Sequence, residues 1–200
     1  MPLEAHNVGF RYGKGKWVLR NFNLTLAMGE IVGLVGPSGC GKTTLARLLS
    51  GYEKPWEGRV TLDGEDLAFR GYNPVQLVSQ HPEKAVNPRW VLSKTLNEGW
   101  HPEAGLMDAL GLETSWLQRY PNELSGGELQ RFCVARALGP QTRYLIADEM
   151  TTMLDAITQA QIWHVVLDQT KKRQLGLLVV SHEESLIAKL CDRVVTLTVR

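Results

Sequence analysis

Short apolar runs broken by glycine, not one long periodic stripe, set the pattern of the first eighty residues. VGFRY and WVLRNFNLTL read as strands with Gly13 and Gly15 between them, which predicts an antiparallel edge sheet. The compact run from Glu30 to Gly36, EIVGLVG, ends in glycine and is followed by TTLARLLSGY, where Leu45, Leu48 and Leu49 fall at helical spacing. Strand, glycine loop and helix therefore follow one another. Residues 58–63, GRVTLD, and 75–79, VQLVS, predict two further strands.

From about residue 84 to 123 the pattern changes, with prolines at 88, 102 and 121, tryptophans at 90, 100 and 116, and amphipathic pieces such as AGLMDALGL. This predicts a mostly helical insertion with a small apolar face of its own. Strand-like runs return at Tyr144–Ala147 and Leu177–Val180, separated by the helical segment TQAQIWHVVLDQTKK. Strands alternating with helices predict an α/β fold with a largely parallel sheet, and such sheets bind ligands beyond the carboxyl ends of their strands.

With 200 residues, 44% of them hydrophobic and 22% charged, the chain suffices for one domain with a sizeable core. Its 22 Lys and Arg balance 21 Asp and Glu, so no global field favours nucleic acid or an anionic membrane. Lys171-Lys172-Arg173 reads as a solvated helix end. Cys40, Cys133 and Cys191 have neither disulfide-framework nor metal-ligand spacing, which fits a reducing cytosol. No apolar stretch approaches the ~20 residues needed to span a bilayer.

Chemistry concentrates in a few places. Gly36-Pro37-Ser38-Gly39-Cys40-Gly41-Lys42-Thr43, followed by Thr44, satisfies G-x-x-x-x-G-K-[ST]. In such a loop the glycines let backbone N–H groups wrap phosphates, the lysine reaches the β and γ oxygens, and the threonine hydroxyl faces Mg²⁺. Asp148 and Glu149 directly follow an apolar strand, where the first can hold the Mg²⁺ shell and the second can orient or deprotonate a water. His182 ends another strand. It reads either as a solvated histidine in a first helical turn, with Ser181-His-Glu-Glu184 at capping-box spacing, or as a donor to a γ-phosphate; the residues leave both open. Gln80 follows VQLVS as an ordinary amide whose role depends on the rest of the site.

The stretch LSGGELQR, residues 124–131, contains a second glycine pair at the start of a helix. Ser125 and Glu128 form a capping box, and Leu129, Phe132, Cys133 and Ala137 give the helix its apolar stripe. Capping leaves Gly126 and Gly127 unexplained. A helix N-terminus with bare N–H groups is an anion site, which would explain them.

In this order, GPSGCGKTT, Gln80, LSGGE, YLIADE and His182 resemble the ATP-binding cassette ATPases, the motor subunits of ABC transporters, over nearly the whole chain. The resemblance implies a P-loop NTPase, RecA-like core at about 1–83 and 129–200. It also implies an antiparallel β-subdomain and a helical subdomain, about 84–128, that carries the signature. Gly36 to Thr44 would be the Walker A loop, Gln80 the Q-loop, Leu124, Ser125, Gly126, Gly127 and Glu128 the signature, Asp148 and Glu149 the Walker B end, His182 the switch histidine and Asp155 the D-loop acid. Tyr12 matches the aromatic that stacks on adenine, though an ordinary strand tyrosine fits there too.

Two ATP molecules with Mg²⁺, held at Thr43, Gln80 and Asp148, would be sandwiched in a head-to-tail dimer with an identical or paralogous cassette. Integral membrane permease subunits and a solute-binding protein would complete the assembly, the cassette lying peripherally at the cytoplasmic face. QLVSQHPEKAVNPRW and RYPNELSGGELQR resemble the peptide and nickel importer branch, with the surface around Asn87 to Leu92 facing the permease. MTTMLD departs from the family's usual run after the Walker B end, placing Met150 and Met153 near the dimer seam. RVVTLTVR lacks the extension many peptide and nickel cassettes carry, as in a minimal or a trimmed cassette. The alternative is a non-transport ABC ATPase of DNA repair, chromosome organisation or translation, against which the lack of long heptad coiled coils and of a tandem partner argues.

Overall fold

The computed structural model describes residues 2–67 and 71–198; Val199 and Arg200 of RVVTLTVR lie outside them. Two sheets organise these residues. In the first, β1 (Leu3–Phe10), β2 (Leu19–Leu26), β4 (Glu57–Leu62) and β5 (Glu65–Asp66) pair antiparallel in the order β2-β1-β4-β5. The second is parallel: β3 (Ile31–Val35), β6 (Val75–Ser79), β7 (Tyr144–Asp148), β8 (Gly176–Val180) and β9 (Arg193–Thr196), in the order β6-β7-β8-β3-β9. The fold is therefore α/β with an antiparallel sheet packed on a parallel one.

The period of two along each strand explains why this sheet is buried on both faces. Tyr144 and Ile146 of β7, with Leu178 and Val180 of β8, face a core shared with the antiparallel sheet and with α1 (Lys42–Leu49). Leu145 and Ala147, with Leu177 and Val179, face the opposite core, built with α4 (Gly126–Ala137) and α5 (Ala156–Arg173). The remaining helices are short: α2 (Leu92–Leu96), α3 (Ala104–Ala109) and α6 (Glu184–Leu190).

Several sequence expectations change here. VGFRY is not a strand throughout, because β1 starts earlier and stops at Phe10, leaving Tyr12 on the turn before β2. The insertion has no separate core: Leu92, Leu96, Leu110, Leu112 and Trp116 pack into the cluster that contains Phe132 of α4 and the strands below it. Arg173 is no solvated helix end. Its guanidinium donates to the carbonyls of Leu138, Gly139 and Thr142, at 2.8, 2.5 and 3.0 Å, and so satisfies acceptors around the C-terminus of α4. Ser181 forms no capping box with Glu184, since Glu183 is the N-cap of α6 and donates its backbone N–H to Ser181 Oγ at 3.0 Å.

Candidate functional site

Four adjacent parallel strands deliver the predicted residues to one edge. Gln80 follows β6, Asp148 and Glu149 end β7, His182 lies just past β8, and the glycine loop from Gly36 follows β3. Residues far apart in sequence meet because parallel pairing aligns every carboxyl end.

The loop runs into α1, whose N-cap Gly41 has φ +105°; Gly39, at φ +77°, is also left-handed. That conformation is cheap only without a Cβ, and a Cβ on Gly41 would come within 2.8 Å of Val18 Cγ1. One on Gly39 would point into open space, where a ligand can approach the backbone. Lys42 is 8% exposed and its Nζ donates to the carbonyls of Gly36 and Pro37 at 2.9 and 3.1 Å, so its charge is held within the loop. Ser38 and Thr43 are exposed, and buried Cys40 packs under the loop. A cleft of about 330 Å³ is walled by Tyr12, Val18, Ser38, Gly39, Gly41, Lys42, Thr43, Thr44 and Glu149. Tyr12 leans over α1 with its hydroxyl 3.2 Å from Thr44 Oγ1 and its ring edge-on to Phe10.

Asp148 is 4% exposed. Burial pushes its carboxyl above the ordinary range; the Thr43 hydrogen bond opposes that, the Glu149 charge adds to it, and Lys42 opposes it again. Its Oδ1 is buried with no hydrogen-bond partner, an acceptor that a cation or its water shell would satisfy. With Thr43 already bonded to the same carboxylate, these residues fit Mg²⁺. Glu149 adopts φ +50°, a left-handed conformation that costs a non-glycine residue about 1–2 kcal/mol. Its N–H donates to Val180 O at 3.0 Å, and its Oε1 lies 3.6 Å from His182 Nδ1. Gln80, half-buried, stands next to this cluster through the Ser79–Asp148 strand pairing but is not part of the cleft wall.

The signature lies apart from that cleft. Ser125 Oγ accepts from Glu128 N at 3.3 Å, and Glu128 Oε2 accepts from Ser125 N at 2.7 Å, completing the capping box. Leu124 is half-buried against the large core. Neither glycine is needed by the chain itself: both are helical, without positive φ. A Cβ on Gly126 would meet no atom within 4 Å, and one on Gly127 only Thr158 Cγ2 and Leu154 Cδ2 at 3.5 and 3.6 Å, which is ordinary contact. Asp155 is the N-cap of α5, its Oδ1 accepting from the N–H groups of Ile157 and Thr158, bonds that hold its pKa low. Met150 is 2% exposed, whereas Met153 is 68% and Ile157 81% exposed beside it. Trp90 is half-buried, with Lys94 Nζ 4.1 Å from its ring centroid, so it is not a core residue.

Sequence reasoning passed over two residues. Val18 shapes the cleft, but an apolar residue at a strand start carries no signal of that. Gln130 did carry one, being a polar residue within the apolar stripe of α4.

A glycine loop around a buried lysine, a helix N-terminus behind it and paired carboxylates at the end of β7, one strand removed from β3 in the same sheet, define a P-loop nucleotide-binding protein. Residues 19–152 match the ABC transporter family. Over 208 aligned residues, 98% of this chain and 86% of the relative, the sequence is 36% identical to the nickel import system ATP-binding protein NikE of Staphylococcus aureus (strain bovine RF122 / ET3-1). Among solved structures, a dimeric ATP-binding cassette in a post-hydrolysis state bound to ADP and Pi superposes with TM-score 0.81 at 24% identity, covering 99% of this chain and 96% of that one. The ATP-binding subunit of an ABC transporter superposes with TM-score 0.85 at 22% identity, covering 100% of this chain and 88% of that one. The chain belongs to the ABC transporter family and is one of its ATP-hydrolysing subunits.

Proposed function

We propose that this protein is the ATPase of an importer for a small solute, nickel or a nickel complex, and that it works in pairs with each ATP enclosed between two cassettes. In this reading Gly36 to Thr44 hold the phosphates and Tyr12 stacks on the base. Thr43, Gln80 and Asp148 would hold Mg²⁺, which would supply neutralisation of phosphate charge. Glu149 takes the proton of the attacking water, and His182, against Glu149, donates to the γ-phosphate side. Asp155 fixes the start of α5 along the seam.

Gly126 and Gly127 carry the pairing. Two glycines in a first turn sacrifice about 1 kcal/mol each relative to alanine. The chain has room for a side chain at both, so the requirement for bare N–H groups comes from outside it. A phosphate held by a second cassette, identical or paralogous, meets that requirement, and it brings its own lysine. The exposed Met153 and Ile157 next to this turn supply apolar surface for the same contact.

Nickel is favoured by the name of the 36% identical relative, an import system protein. Among the described residues no helix is long and apolar enough to cross a membrane. The solute path is therefore assigned to separate permease subunits, with the cassette peripheral at the cytoplasmic face, the surface from Asn87 to Leu92 against them, and a solute-binding protein delivering cargo.

Uptake of radiolabelled Ni²⁺ by cells lacking the gene tests the reading. Wild-type protein restores uptake and Lys42→Ala does not. Uptake of a labelled peptide restored in place of Ni²⁺ would overturn the solute assignment, and full rescue by Lys42→Ala would overturn the role of the ATPase.

A further inference from the structure

Gln130 lies one turn into α4 and is 1% exposed, among Leu129, Phe132 and Cys133. Its Nε2 donates to two backbone carbonyls on separate strands' ends, Ser79 O at 3.0 Å and Met150 O at 2.7 Å. Ser79 immediately precedes Gln80, and Met150 immediately follows Glu149. The two ends are neighbours, since Ser79 pairs with Asp148 in the β6–β7 ladder. The amide cannot be turned over, because Oε1 would then oppose two carbonyl oxygens. Oε1 is itself buried without a hydrogen-bond partner, a cost that an apolar side chain of the same size avoids. Packing alone therefore does not explain this residue.

The next residue points elsewhere. Arg131 Nη1 donates to Leu110 O at 2.5 Å and to Gln161 Oε1 at 2.8 Å, bonding α4 to the helical layer and to α5. Consecutive side chains thus fasten the helix to the helical layer on one side and to the catalytic strand ends on the other. Glu149, at φ +50°, is held from both flanks: its own N–H by Val180 of β8, and the carbonyl of the next residue by Gln130 of α4.

We infer that Gln130 is a positioning residue that couples the helix beginning at Ser125–Gly127 to the two loops that carry Gln80 and Glu149. When α4 moves as its N-terminus takes up a phosphate, the carbonyls of Ser79 and Met150 move with it, and Glu149 reaches its working position only in the closed pair. The inference rests on the assignment of Glu149 as the base. Gln130 is not among the residues that wall the cleft, so it acts on the rate and not on the first binding of ATP.

Gln130→Met keeps length and apolar volume and removes the donors. Expected are ATP affinity and KM within about threefold of wild type and kcat lower by about tenfold or more. Arg173→Met, which releases the other end of α4, is the comparison, and folded protein should keep kcat within about threefold. Unchanged kcat in Gln130→Met overturns the inference, as does an equal loss in Arg173→Met. A wild-type measurement stands independently of whether the variants fold: the side-chain amide resonances of ¹⁵N-labelled Gln130 should shift when a non-hydrolysable ATP analogue with Mg²⁺ closes the dimer, and an unmoved signal in proven closed dimer overturns the coupling. Normal turnover in Glu149→Gln would sink the base assignment alone, whereas a dead Glu149→Gln beside a fully active Gln130→Met would sink this inference alone.

Discussion

His182 Nδ1 stands 3.6 Å from Glu149 Oε1, the two side chains brought together by adjacent parallel strands that end in register, Asp148 opposite Val180. Glu149 reaches that position at a backbone cost, its left-handed φ of +50° retained by the bond from its N–H to Val180 O. Strain of this kind persists where surrounding structure over-determines it, and here β8 and α4 both do. The same strand that presents the histidine holds the carboxylate's backbone.

The first expectation concerns that carboxylate. Glu149→Gln keeps size and hydrogen bonding but cannot accept a proton. Equilibrium ATP binding should be retained and steady-state turnover should fall by about 10²-fold or more. Measuring nucleotide binding beside phosphate release checks both, and turnover within twofold of wild type would remove Glu149 from the base role.

Asp148 gives a pH signature. Burial raises its folded-state pKa above the unfolded value, so its protonated form persists to higher pH in the folded chain. Whatever stability this group contributes is present at low pH and is lost as pH rises through the folded pKa. Without nucleotide and Mg²⁺, Asp148→Asn should therefore be more stable than wild type at neutral pH, with the difference shrinking on acidification. Its Mg²⁺ affinity with ATP should be about 10–100-fold weaker. Urea melts across pH and Mg²⁺ titrations check the two limbs; a stability difference that grows towards acid would reverse the sign argued here.

Gly126→Ala separates fold from function in the signature. The helix gains about 0.5–1 kcal/mol because the methyl group meets no atom within 4 Å, which should raise Tm by about 1–4 °C. ATPase activity and ATP-driven dimerisation should fall in the same protein. A variant both stabler and fully active would mean that the glycine serves no ligand.

The sheet and the glycine loop were legible because each rests on a local signal: apolar runs of strand length, glycines at fixed offsets, a helical period after Lys42. Capping at Ser125 and Glu128 was legible for the same reason. What remained hidden depended on distant partners. Arg173 read as a solvated end because nothing local reveals that the carbonyls of Leu138, Gly139 and Thr142 await it. Ser181 showed capping-box spacing, yet the helix begins two residues later than spacing alone implies, and Glu183 becomes the N-cap. The small apolar face expected of the helical insertion does not show in sequence what it packs against; of Trp90, Trp100 and Trp116 only Trp116 is buried, and it joins the core beneath α4. Gln130 interrupts the apolar residues of α4, yet its two acceptors, the carbonyls of Ser79 and Met150, lie on distant segments that no local pattern reveals.

The central claim is that one chain supplies half of each nucleotide site, and mixing two inactive chains tests it most directly. Lys42→Ala should disable phosphate binding in its own loop, and Ser125→Arg should block the helix N-terminus proposed to meet the partner's phosphate. In homodimers formed from the two proteins together, one site per mixed dimer combines an intact loop with an intact signature. ATPase activity should reappear in the mixture, while each variant alone stays inactive. Mixed dimers proven by mass, in protein whose wild-type homodimer is active, that show no recovered activity would contradict the account.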